Sequence, residues 1–318
     1  TLDPDSLISA ILKSPVDLLW FGGIGTYIKA SDETNGEVGD PANDSLRVNG
    51  EEVRAKVIGE GANLGLTQAG RIEFALKGAE GAGGRLNTDF IDNSAGVDCS
   101  DNEVNIKIAL SAPVRAGELE FEARNALLEE MTDEVAALVL EDNRLQALAL
   151  SIAERGGAEA VDAQIQLIET LEEMGELDRA TEGLANNDEL MHRSADGRGL
   201  TRPELAVLLS SAKLQLQDSI EASDLAQDEA AVPLLLGDFP PQMVERYRQA
   251  ILDHRLRNEI VGTVVANSIV NRMGLIHPFE LAREEGVGLD LVGAAFVSAV
   301  DLLGMEELWR GGGTASLP

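Results

Sequence analysis

The sequence contains one cysteine, Cys99, so no disulfide can form within the chain. That fits a reducing compartment, the cytoplasm being the expected location. Aromatic residues make up only 3% of the chain, so any core must be built from Leu, Ile, Val and Ala. Lys and Arg total 25 against 56 Asp and Glu, a formal net charge of -31. Such a chain lacks the cationic face that nucleic acid or an anionic membrane needs, which argues against both as partners. No run approaches the roughly 20 apolar residues that span a bilayer. The opening "TLDPDSLISAILKSP" has neither a basic n-region nor a small-residue cleavage site. It reads as the middle of a longer polypeptide, and "GGGTASLP" at the other end as a flexible tail. The three histidines, His192, His254 and His277, are scattered, with no metal-ligand spacing and no nucleophile partner. A G-x-S-x-G elbow, a P-loop and a G-x-G-x-x-G fingerprint are all missing.

What is present suffices for two domains: 318 residues, 44% of them hydrophobic. The first third alternates in type. "SLISAILKS" suits a short helix, and Val16 to Gly23 is a continuous apolar run ending in glycine, as buried parallel strands do. Ser31 to Asn49 reads as an exposed polar insertion. Ala55 to Gly61 is a second strand, Thr67 to Gly78 a helix, and Arg85 to Asn93 a third strand. This order predicts right-handed crossovers and a parallel sheet. Three strands make only the C-terminal half of a doubly wound, Rossmann-like domain, placed at residues 1–110. From about Ser100 the text turns helical, giving an all-α part over residues 111–318. There Leu127, Met131, Val135 and Leu138 line one face, as do Leu145, Leu148 and Ile152, and Val161, Ile165 and Ile168. Thr201 and Glu204 form a capping-box pattern before Leu205, Leu208, Leu209 and Ala212.

Three polar, glycine-bearing loops follow the three expected strands, and ligands of open α/β sheets bind at such strand ends. In "WFGGIGT", Gly22 and Gly23 let a backbone approach a nucleotide, although a tight turn explains them equally well. In "GEGANLG", Asn63 offers an amide donor and acceptor suited to a carboxamide or a ribose hydroxyl. An Asn that stabilises a turn is the competing reading. In "FIDNSAGVDCSDNEVNIKI", Ser100 and Glu103 have capping-box spacing, so a helix is expected to start there with its N–H groups open to a carboxylate. Asp92, Asp98, Asp101 and Glu103 are an alternative cation site, but not at EF-hand spacing, and no metal is expected. Cys99 has no basic neighbour and reads as buried and inert.

"KVIGEGANLGLTQAGRIEFA" and "GGRLNTDFIDNSAGVDCSDNEVNIKI" closely resemble the large, NAD-specific glutamate dehydrogenases of bacteria, as do "VDLLWFGGIGTYIKAS" and "LTRPELAVLLSSAK". The resemblance covers nearly the whole chain. A fainter similarity reaches ordinary glutamate dehydrogenases. Their E-G-A-N tract matches Glu60 to Asn63, and their N-A-G-G-V…S tract aligns with Asn93 to Val97 and Ser100. Ala95 and Gly96 stand where those enzymes have two glycines, and Asp98 and Asp101 replace apolar and aromatic residues.

The resemblance implies NAD as cofactor and L-glutamate and 2-oxoglutarate as substrate and product. Asn63 would contact the nicotinamide riboside, Asn93 would lie near the nicotinamide and substrate, and Gly22 and Gly23 would border the adenosine. Ser100 would bind the distal carboxylate of glutamate. The family's catalytic lysine and aspartate, and its dinucleotide fingerprint, would lie upstream of Thr1. Lys29, Lys56 and Lys107 lack the glycine-rich context of that lysine, so no catalytic residue is expected in this chain and the chain alone should be inactive. Its partners would be the remainder of its own polypeptide and further copies in a homo-oligomer. A different reading makes the helical part an assembly or regulatory module. An unrelated flavodoxin-like protein would need a phosphate loop, which the sequence lacks.

Overall fold

The computed structural model describes residues 2–305 together with Leu308 and Trp309; the expected C-terminal tail lies outside them. The chain forms two compact units, one of residues up to 97 with 146–211, the other of residues 98–145 with those from 212 onward.

The α/β part belongs to the first unit. Asp3 caps helix α1 (Pro4–Leu12) by accepting the Ser6 N–H. Strand β1 (Leu18–Phe21) follows, then β2 (Ile28–Lys29), a single turn α2 (Asn35–Val38), β3 (Val48–Asn49) and β4 (Val57–Glu60). β1 and β4 pair in parallel with Phe21 opposite Glu60, and β2 and β3 form a second parallel pair. Helix α3 (Gln68–Lys77) starts at Thr67, whose hydroxyl accepts the Gly70 N–H. Phe21, Ile28, Val48, Val53, Ile58, Leu66, Phe74 and Leu86 form the core.

Two expectations change here. Arg85 to Asn93 is not a third strand. Only Arg85 makes a parallel bridge, to Val57, and residues 89–92 wind into the helical turn α4 (Asp89–Asp92). The acidic first-turn residue Asp89 and the Asp92 N–H bond to the Thr88 carbonyl favour the turn over extension. The Ser31 to Asn49 stretch is also not a mere exposed insertion. It ends in β3 with Leu46 and Val48 buried, and the Arg47 side chain is fully enclosed. That guanidinium donates to the carbonyls of Thr26 and Asp40 and to the side chains of Asn35 and Asp44.

The rest is helical: α5 (Ser94–Ala116), α6 (Phe121–Glu130), α7 (Thr132–Arg155), α8 (Val161–Met174), α9 (Asn187–Ala195), α10 (Arg202–Glu221), α11 (Val232–Gly237), α12 (Pro241–Leu252), α13 (Arg257–Met273), α14 (His277–Glu285) and α15 (Leu289–Leu303). Residue 110 lies inside α5. Val161, Ile165 and Ile168 are buried as their spacing predicts, and so are Leu205, Leu208, Leu209 and Ala212. Glu204 opens α10 by accepting the Thr201 N–H and hydroxyl. The Leu148 and Ile152 face of α7 is exposed instead, and Val139, Ala149 and Leu150 are its buried residues. Among the described residues, no single helix is long and apolar enough to cross a membrane.

Candidate functional site

Because β1 and β4 are parallel neighbours with Phe21 opposite Glu60, the loops after them leave the sheet side by side. The first holds Gly22 and Gly23, both exposed, and nothing lies within 4 Å of a Cβ built on Gly23. Its far end is fixed. The Thr26 N–H donates to Asp40 at 2.8 Å, and the Thr26 hydroxyl donates to the Leu64 carbonyl at 2.9 Å. That second bond ties the first loop to the second.

The second loop, Gly61 to Gly65, carries Asn63 on an exposed rim. Leu64 stands at φ +60, a left-handed conformation that costs a non-glycine residue about 1–2 kcal/mol. Beneath the loop is a buried charge network. Arg71 forks onto Glu60, Nε to Oε2 at 2.7 Å and Nη2 to Oε1 at 2.9 Å, and reaches Asp89 at 3.0 Å. Asp89 accepts the Leu64 N–H at 2.8 Å, and Asp92 accepts the Glu60 N–H at 2.9 Å and the Asn87 amide at 2.6 Å. Burial lifts the Asp92 carboxyl above its ordinary value, opposed by those two bonds and by Arg202 and Arg71. Burial also lifts Glu60, against the pull of Arg71.

Asn93 caps the C-terminal end of α4, and its amide donates to the Asn63 amide oxygen. The structure therefore brings together two of the site residues expected from sequence, beside the loop of Gly22 and Gly23. Two adjacent amides can present a donor and an acceptor to a carboxamide or to sugar hydroxyls. Sequence reasoning left Asp92 unexplained and missed Glu60, Arg71 and Asp89. Their signal lies in the E-G-A-N, A-G-R and D-F-I-D tracts, but nothing in the sequence links them.

Ser100 is exposed in the second turn of α5, and it does not cap that helix. The helix begins at Ser94, and Glu103 pairs with Lys107 one turn on instead of folding back. Cys99 is exposed, not buried. Among the described residues, no group of three or more His, Cys, Asp or Glu side chains is arranged to hold a metal ion.

The second unit holds another charged group that the sequence did not reveal. Asp98 on α5, Asp142 on α7, Lys213 on α10 and Asp238 at the end of α11 interact electrostatically. Burial pushes Asp238 up to about 7, helped by Asp142 and Asp98, and pulls Lys213 down to about 8 against the same two carboxylates. His254 is buried, with Nε2 on the Asn105 carbonyl at 3.0 Å and Nδ1 accepting the Leu256 N–H at 3.0 Å.

Residues 1–153 match the family model described as bacterial NAD-glutamate dehydrogenase, catalytic domain, and residues 197–312 match glutamate dehydrogenase, C-terminal. The chain is 48% identical over 309 residues to a protein of Pseudomonas aeruginosa named NAD-specific glutamate dehydrogenase. Proteins of the same name from Halomonas elongata and Mycobacterium tuberculosis are 46% identical over 309 residues and 45% over 316. These alignments cover 97%, 97% and 99% of this chain but 19% of each relative, so the chain spans about a fifth of the length of the curated relatives it matches. By these matches along most of its length, the chain belongs to the bacterial NAD-glutamate dehydrogenase family.

Proposed function

We propose that this chain is the C-terminal part of an enzyme that converts L-glutamate, NAD⁺ and water into 2-oxoglutarate, ammonium and NADH. Residues 1–110 contain the C-terminal half of a Rossmann-like NAD-binding domain, and residues 111–318 form a helical domain. The observation that carries this reading is the Asn93 to Asn63 hydrogen bond at the end of β4, beside the glycine loop of β1. Asn63 contacts the nicotinamide riboside, Asn93 lies near the nicotinamide and substrate, Gly22 and Gly23 border the adenosine, and Ser100 takes the distal carboxylate of glutamate. When bound, NAD supplies the hydride acceptor; these residues bind and orient. The family lysine and aspartate that activate water have no counterpart in the chain, so the chain alone does not turn over glutamate. The parent works in the cytoplasm as a homo-oligomer, with the rest of its own polypeptide completing the site.

In the complete polypeptide, Asn63→Ala should raise KM for NAD about tenfold, the loss of one or two polar contacts. Ser100→Ala should raise KM for glutamate and leave that for NAD within about twofold. Unchanged constants in both variants contradict the reading, and robust NADH production by the isolated chain contradicts its inactivity.

A further inference from the structure

Asn63 is useful to a ligand only if its amide is held in place, yet it projects from an exposed glycine loop beside a strained residue. A left-handed leucine persists only where its surroundings fix it. Here both sides of Leu64 are fixed: its N–H is taken by Asp89 at 2.8 Å and its carbonyl by the Thr26 hydroxyl at 2.9 Å. Gly65 is held next to it, its carbonyl accepting the Tyr27 and Ile28 N–H groups. The loop start is held as well, because Asp92 takes the Glu60 N–H.

The anchors share one turn. Asp89 and Asp92 both lie on α4, and the Asn93 N–H closes that turn on the Asp89 carbonyl at 2.9 Å. The turn that pins the Asn63 loop thus also carries the Asn93 amide that bonds Asn63. Asp89 cannot drift, since one oxygen is gripped by Arg71 at 3.0 Å and by the Phe90 N–H at 3.0 Å. Arg71 is in turn locked by its fork on Glu60.

We infer that Asp89 is a positioning residue for the nicotinamide end of the cofactor, acting through the Leu64 N–H to set the Asn63 amide against that of Asn93. The inference rests on the cofactor role proposed above for Asn63. It gives the buried aspartate a function beyond charge pairing: one oxygen neutralises Arg71 while the other orders the loop.

The test compares Asp89→Ala and Asp89→Asn in the complete polypeptide, with Asn63→Ala as reference. Asparagine has a single acceptor oxygen; turned to the Leu64 N–H, it leaves its NH2 group facing Arg71 and the Phe90 N–H, so the loop bond survives while the ion pair is lost. Both Asp89 variants should therefore lower the thermal midpoint to a similar degree. Only Asp89→Ala should raise KM for NAD about tenfold, with Asp89→Asn within about threefold of the parent and KM for glutamate within about twofold in both. Equal losses of NAD affinity in both variants, tracking their stability, mean a structural role only and overturn the inference. A tenfold effect of Asn63→Ala beside an unchanged Asp89→Ala overturns it while leaving the cofactor reading intact. An unchanged Asn63→Ala overturns both.

Discussion

Arg71 clasps Glu60 with two nearly parallel hydrogen bonds, in a place where their side chains are 5% and 1% exposed. The pair links α3 to the end of β4, and through Asp89 it links both to α4. Removing one partner of a buried ion pair leaves the other charged and unsolvated, which costs about 3–5 kcal/mol. Arg71→Met should therefore destabilise the first unit by about that amount in urea unfolding. Glu60→Gln combined with Arg71→Met should lose less than the two single changes added together. A single-variant loss below about 1 kcal/mol would show that water already reaches the pair.

Gly70 lies where α3 packs against the backbone of β2. A Cβ there would sit 2.9 Å from both Cα and the carbonyl carbon of Lys29, backbone atoms that cannot step aside. Gly70→Ala gains about 1 kcal/mol of helix propensity. The overlap should outweigh it, giving a net loss of about 1–3 kcal/mol. Chemical denaturation measures the sign, and a stabilised variant would mean that α3 can shift off the strand.

Much of the α/β part is legible because local chemistry fixes it. Thr67 announces α3, and the glycine-ended apolar runs announce β1 and β4. Phe90 and Ile91 misled the reading of the third strand, because two apolar residues between aspartates suit a helical turn as well as a strand. The spacing of Ser100 and Glu103 misled it again. A capping pattern inside a helix is indistinguishable from one at its start until the true first turn, at Ser94, is seen. The amide pair needed the fold: Asn63 and Asn93 are 30 residues apart, and only the end of β4 brings them together. The same holds for Arg71 and Glu60, whose separation of 11 residues has no local meaning.

His254 should make the second unit sensitive to mild acid. Burial holds its imidazole below the usual value of 6.5, opposed by the Asn105 carbonyl and Glu259 and reinforced by Arg255. With Nδ1 accepting the Leu256 N–H, a proton on that nitrogen breaks the bond. A depressed histidine pKa means that the unfolded chain takes up the proton first. The contribution is therefore complete above pH 6.5 and is lost as pH falls below it toward the folded value. His254→Gln should cost about 1–2 kcal/mol at pH 8 and less at pH 5. Thermal midpoints at the two pH values check this, and a penalty that grows at pH 5 would contradict a neutral histidine.

Asp238 has the opposite sign. Burial, with Asp142 and Asp98 nearby, lifts its carboxyl from 3.8 to about 7, so the unfolded chain ionises it first. Stability then declines as pH rises from about 4 to about 7, and above that the cost is constant. Asn cannot ionise and avoids the cost. Asp238→Asn should therefore stabilise the second unit by a few kcal/mol at most at pH 8, and by clearly less at pH 5. The gap between variant and parent should open between those values and level off. Lys213 does not reverse this: burial pulls it down to about 8, and the carboxylates that act on it electrostatically are Asp142 and Asp98. Midpoints measured from pH 5 to 8 decide the matter. A gap that does not change with pH would mean that Asp238 titrates as an ordinary carboxylate, and a destabilised variant would mean that its charge is needed where it stands.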